Sequence, residues 1–111
     1  MVVAAAAVLM VAPAVGALTG VEWRRLGAAE RGAYVTGVVD AWHSITVVQE
    51  SLGARDRGIT VFADVVGCFR DRLILPPQVV AAVERYVEDN PGLRGKEMSD
   101  IVYVAAGQLC R

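Results

Sequence analysis

Histidine occurs once in the chain, at His43, and cysteine twice, at Cys68 and Cys110. That supply excludes a zinc finger and any four-ligand metal site. Lysine is nearly missing as well: Lys96 stands alone, and every other cation is an arginine. Eleven basic side chains face twelve acidic ones, for a formal net charge of −1. No excess of positive charge is present to hold nucleic acid or an anionic lipid surface. At 111 residues the chain has room for one domain. No internal repeat or low-complexity segment follows the first 17 residues. These deficits argue against a DNA-binding protein, a metalloprotein and a multidomain enzyme, and no cofactor is expected. A small helical or mixed module remains.

Charge is also missing from the start of the chain, where nothing ionisable precedes Glu22. Met1 to Ala12 is an unbroken run of Val, Ala, Leu and Met, followed by Pro13 and then Val15-Gly16-Ala17. This is the apolar core and small-residue cleavage site of a secretory signal peptide, without its usual basic start, and it predicts a cut after Ala17. The competing reading is a retained anchor, since about 20 apolar residues span a bilayer. Pro13 and the Gly16/Gly20 pair interrupt such a helix. Residues 1–17 are therefore expected to be a leader and 18–111 the folded domain, with a membrane role only if the leader stays on. In an oxidising compartment, Cys68 and Cys110 are expected to pair. The bond would close a loop of about 43 residues, worth ~4 kcal/mol in chain entropy. A cysteine nucleophile activated by His43 is the alternative, and nothing in the spacing supports it.

Hydrophobic periodicity predicts an all-α chain of four to five helices. Thr19 can cap a short first helix that turns Trp23 and Leu26 inward. From Ala28 to Leu52 apolar residues recur at three and four: Tyr34, Val38, Ala41, Ile45 and Val48, widened by Val35, Val39 and Trp42. Glycine in this pattern costs ~1 kcal/mol, so Gly37 is expected to mark the close approach of a neighbouring helix. Ser51, Gly53 and Arg55-Asp56-Arg57-Gly58 read as a loop. In 59–69, Ile59, Phe62, Val66 and Phe69 fit a helix face, the preferred reading, although the composition also suits a strand. Arg70-Asp71-Arg72 reads as solvated. Pro76-Pro77 opens a helix with Val79, Val80, Val83, Tyr86 and Val87 inward, and Asn90-Pro91-Gly92 ends it. A last helix, from about Lys96 to Leu109, buries Met98, Ile101, Val102, Ala105 and Leu109. Cys110 at its end can reach back to Cys68, near the start of the preceding unit, and so staple the C-terminal pair.

The string Tyr34-Val35-Thr36-Gly37-Val38-Val39-Asp40-Ala41 resembles the tyrosine, glycine and aspartate-alanine signature of the Rap/Tai family. Its members are small periplasmic proteins that include immunity factors against peptidoglycan amidases delivered by type VI secretion. Cys68, Gln78 with Val79-Val80, Tyr86 and Asn90-Pro91 are similar to that family's cysteine, glutamine-valine helix, tyrosine and proline. Ser99, Ile101-Val102, Ala105 and Cys110 resemble its closing helix. The likeness covers roughly Gly32 to Cys110. It implies an all-helical fold, a periplasmic location and a Cys68–Cys110 bond, and it is compatible with a homodimer. The implied function is binding and inhibition of a secreted amidase toxin by protein–protein contact.

No constellation favours catalysis. Asp40, His43 and Ser44 fall within five consecutive residues and cannot take up the converging geometry of a triad, so the chain is not expected to be an enzyme. His43 reads as a surface or interface residue, and Asp40 as holding a buried structural hydrogen bond to backbone or to an arginine, in preference to a binding role. Trp23, Trp42, Tyr34, Tyr86 and Tyr103 read as core or half-buried packing, with an interface anchor as the alternative for any one of them. Partner contacts are expected in the mixed-charge segments Arg55-Asp56-Arg57 and Arg70-Asp71-Arg72, because loops on rigid scaffolds carry recognition. Two other readings stay open: an acid- or stress-active periplasmic chaperone, which exposes apolar surface when its carboxylates protonate, and an envelope accessory protein with no toxin partner.

Overall fold

A computed structural model describes residues 18–53 and 56–111. The leader assigned to 1–17 and the candidate contact Arg55 lie outside them. The described residues form five α-helices: α1 (Gly20–Arg25), α2 (Ala28–Leu52), α3 (Arg57–Asp71), α4 (Pro76–Asp89) and α5 (Met98–Leu109). A 3₁₀ turn, Pro91–Gly95, joins α4 to α5. The fold is all-α, and among the described residues the only β pairing is an isolated bridge between Thr19 and Glu97. The segment 59–69 is helical, as preferred from its periodicity, and two features extend it. Asp56 caps it, with Oδ1 accepting from the Gly58 amide at 2.7 Å, and Arg57 already belongs to its first turn. Of the loop expected at Ser51, Gly53 and Arg55–Gly58, Ser51 belongs to α2, while Asp56 caps α3 and Arg57 and Gly58 lie in it.

Three helices start by one device. A side chain three residues into the helix reaches back to the amide at the cap: Glu22 to Thr19 (2.7 Å), Glu30 to Gly27 (3.2 Å) and Gln78 to Leu75 (2.7 Å). Each satisfies a donor that the helix leaves without a partner. Gly53 ends α2 at φ 64°, a left-handed conformation that favours glycine, and its amide donates to Gln49 and Glu50. The end of α3 makes the same turn with a leucine. Leu73 sits at φ 55°, its amide donating to Arg70 and the Ile74 amide to Phe69.

Helix α2 is the spine and packs on α3, α4 and α5, while α4 also packs on α5. The core joins Trp23, Val35 and Trp42 to Val65 and Phe69 of α3, to Val79, Val83 and Val87 of α4, and to Met98, Ile101, Val102, Ala105 and Ala106 of α5. The inward faces expected for α4 and α5 are the buried ones, with Val80, Tyr86 and Leu109 at their margins. Helix α5 starts at Met98 rather than Lys96, because Pro91–Gly95 spends its residues on the 3₁₀ turn.

The stripe expected on α2 is only half covered. Its buried positions are Val35, Trp42 and Gln49, seven apart. Ala41 is exposed, and so are Ile45 and Val48. The reason is the face and not the length: Val35, Trp42 and Gln49 share the side that α3, α4 and α5 cover, whereas Ala41, Ile45 and Val48, at the same heights on the helix, lie off it.

Close approach does occur at a glycine, but not at Gly37. A Cβ on Gly37 would meet nothing within 4 Å, whereas one on Gly20 would lie 2.8 Å from the Leu93 carbonyl oxygen. Helix α1 is pressed there onto the 3₁₀ turn. Backbone bonds lock the contact: Gly20 donates to Lys96 (3.1 Å), and Met98 donates to Leu18 (2.6 Å).

Cys68 and Cys110 form a disulfide, with Cα atoms 6.0 Å apart. Cys68 lies in the last turn of α3, not near the start of the α4–α5 pair. The bond therefore fastens the end of α3 to the end of α5. Arg72 reinforces it by donating to the carbonyls of Leu109 (3.2 Å) and Arg111 (3.4 Å).

Candidate partner-binding surfaces

The residues that carry the family likeness do not converge on one site. Tyr34 is half-buried and meets Trp23 edge to face, with ring centres 6.2 Å apart. Burial, followed by the nearby carboxylates of Glu97 and Asp100, raises its hydroxyl pKa above the usual 10.0. Gly37, Asp40 and Ala41 are exposed on the outer side of α2. The buried hydrogen bond expected of Asp40 is absent, because α2 turns that position to solvent. His43 is exposed, as its reading as a surface residue required. Gln78 acts within its own helix start. Tyr86 is half-buried, and its carbonyl accepts from Asn90 Nδ2 at 2.9 Å. Pro91 opens the 3₁₀ turn. The signature is mostly a set of folding instructions.

The mixed-charge segments are helix ends rather than loops. Asp56 and Arg57 open α3, whereas Arg70 and Asp71 close it with an exposed ion pair at 3.6 Å. Arg72, the residue that follows, is engaged with the C-terminal carbonyls. Fifteen residues of helix hold the two segments ~20 Å apart, so they present two small patches and not one surface.

Two surfaces that the sequence did not announce have shape. The first lies on the flank of the last turns of α2, beside the start of α3. Ile45, Val48 and Leu52 are 39%, 57% and 76% exposed. With Ser44, Gln49 and Ile59 they line a shallow apolar groove of about 330 Å³. Gln49 closes its floor, with Nε2 directed at the Asp56 carbonyl (3.5 Å).

The second is an aromatic cleft of about 490 Å³ between α2, α3 and α5. Trp42, Phe62 and Tyr103 meet there as a triangle, with ring centres 5.8, 6.0 and 5.9 Å apart. Val61 and Val104 form its apolar walls, and Ser99 and Asp100 stand at one end. Trp42 and Tyr103 pack as expected, and both also line this opening.

A further groove of about 380 Å³ runs beside α1, between Trp23, Arg31 and Glu84. Arg31 is already committed to it. Its guanidinium donates to the Trp23 carbonyl (3.1 Å), the Arg24 carbonyl (3.3 Å) and Glu84 (3.3 Å), and lies 5.2 Å over the Trp23 ring. Arg31 is a latch between α1, α2 and α4 that periodicity could not reveal. Among the described residues, no group of three or more His, Cys, Asp or Glu side chains is placed to hold a metal ion, and no helix is long and apolar enough to cross a membrane.

No family model, curated protein or solved structure matches the chain.

Proposed function

We propose that this chain is an exported periplasmic binding protein of the Rap/Tai type, which inhibits a peptidoglycan amidase delivered by type VI secretion by covering its cleft. The observation that carries the reading is the exposed face at the end of α2. Ile45, Val48 and Leu52 stand at i, i+3 and i+7, the spacing by which a helix inserts its apolar side into a partner's groove. They project from a body that the disulfide and the α2 core hold rigid, so little ordering entropy remains to be lost on binding. The order of the signature residues from Tyr34 to Cys110 and the leader pattern before Leu18 support the compartment and the class of partner. A neutralising complex of ordinary size buries on the order of 1,600 Å², more than this face alone offers, so contacts must continue onto neighbouring surfaces.

The test is capture from a periplasmic extract at neutral pH with the full exported chain as bait, followed by assay of the captured protein on purified peptidoglycan. Recovery of an amidase whose cleavage stops at a one-to-one ratio is the expected result. Leu52→Asp should weaken that capture without lowering the melting temperature, because the side chain is exposed. Recovery of a partner with no amide-cleaving activity, or of none, overturns the reading.

A further inference from the structure

We propose that the aromatic cleft formed by Trp42, Phe62 and Tyr103, with Asp100 at its end, is a socket for one arginine side chain of a protein partner. This deepens the binding-protein reading and rests on it only in taking the ligand from a protein. The amidase identity is not needed.

The argument is one of complementarity. Trp42 is buried and meets Tyr103 edge to face, so the accessible aromatic surface of the cleft is that of the half-buried Phe62 and Tyr103, whose π-clouds attract a cation. The Asp100 carboxylate supplies a full negative charge at the same opening. That charge is free to be used: the ion pairs among the described residues are Arg31–Glu84 and Arg70–Asp71, and neither involves it. None of the residues lining the cleft is basic.

The walls then select among cations. Val61 and Val104 are 37% and 40% exposed and flank the opening, so they suit a methylene stem leading to the charged head. A divalent metal would need several oxygen ligands where the side chains of the cleft offer one carboxylate and two hydroxyls, those of Ser99 and Tyr103. A wholly apolar side chain would strip water from Asp100 and return nothing. A guanidinium stacks flat on a ring while giving two parallel hydrogen bonds to a carboxylate, which an ammonium cannot do.

The test uses the full chain and N-acetyl-arginine amide as the probe, followed by two-dimensional amide NMR. The Trp42 indole N–H and the backbone amides of Asp100 and Tyr103 should shift in a saturable way, in the millimolar range expected for one side chain without its protein. The uncharged isostere N-acetyl-citrulline amide should bind at least about tenfold more weakly, and Asp100→Asn should weaken the arginine probe to a similar extent. Glu84→Gln, in the groove beside α1, should leave binding unchanged. Asp100 is exposed, so its variant should keep the parent fold, checked by an unchanged amide spectrum away from the cleft. Equal shifts with citrulline, an Asp100→Asn protein that still binds fully, or no shift at Trp42 each overturn the proposal. None of these outcomes depends on whether an amidase is captured, so the two readings fail separately.

Discussion

Replacing Cys68 and Cys110 together by serine opens a ring that runs from the end of α3 through α4 and the 3₁₀ turn to the end of α5. The two residues are 42 positions apart, and closing a loop of that size removes about 4 kcal/mol of chain entropy from the unfolded state. The architecture gives reason to expect most of that value. Helices α3 and α5 each pack on α2, but they share no interface comparable with that of α4 and α5. Beyond the sulfur bridge, the two ends are held by the exposed bonds of Arg72 to Leu109 and Arg111, and solvent competes for those. At roughly 4–8 °C per kcal/mol for a domain of this size, the melting temperature should fall by about 15–30 °C. Thermal unfolding followed by far-UV circular dichroism measures the fall. Hydrogen exchange locates it: the last turns of α3 and α5 should lose protection before α4 does. A double variant that melts within about 3 °C of the parent would show that packing alone sets the position of these ends, and the loop-entropy argument would be wrong.

Four further outcomes follow from particular residues. Leu73→Gly relieves a left-handed leucine that is 79% exposed; about 1–2 kcal/mol of strain less the greater freedom of unfolded glycine should leave a gain of ~0.5–1 kcal/mol in urea unfolding. Gly20→Ala should cost ~1–3 kcal/mol, because its methyl would strike the Leu93 carbonyl, whereas Gly37→Ala, in open space on a helix, should add ~0.5–1 kcal/mol. Met98→Ala empties a fully buried site and should cost about 2–5 kcal/mol. The raised pKa of Tyr34 means that the folded state holds this proton more tightly than the unfolded chain. Stability should therefore decline as pH rises above about 10, and Tyr34→Phe should show a smaller decline in alkaline melting curves.

Much of the fold could be read from residue order. Helices α4 and α5 are short enough for one face to be buried along their whole length, so the spacing of Val79, Val83 and Val87, or of Met98, Ile101 and Val102, names the core directly. Helix α2 defeats the same logic beyond its middle. Ile45 and Val48 continue a regular apolar pattern, but whether they are covered depends on which side of α2 its neighbours pack against, which no local window contains. Gly37 and Gly20 make the same point. Both are helical glycines in sequence, and only the folded chain shows which one another backbone touches. The surfaces were less legible still. Asp100 sits in the first turn of α5, where an acidic residue is ordinary at a helix start. Trp42, Phe62 and Tyr103 come from three helices, and only tertiary packing makes them a triangle. Arg31 carries no mark that separates it from the other arginines.

The hydrogen bond from Met98 to the Leu18 carbonyl fastens the first described residues to the start of α5. If the leader is removed after Ala17, the residues just downstream of the cut are Leu18, Thr19 and Gly20, and the folded chain holds all three against Lys96, Glu97 and Met98. A peptidase needs that stretch extended and accessible. On the proposed reading of an exported chain, cleavage would precede this contact, because once it forms Leu18 is half-buried and held by Met98.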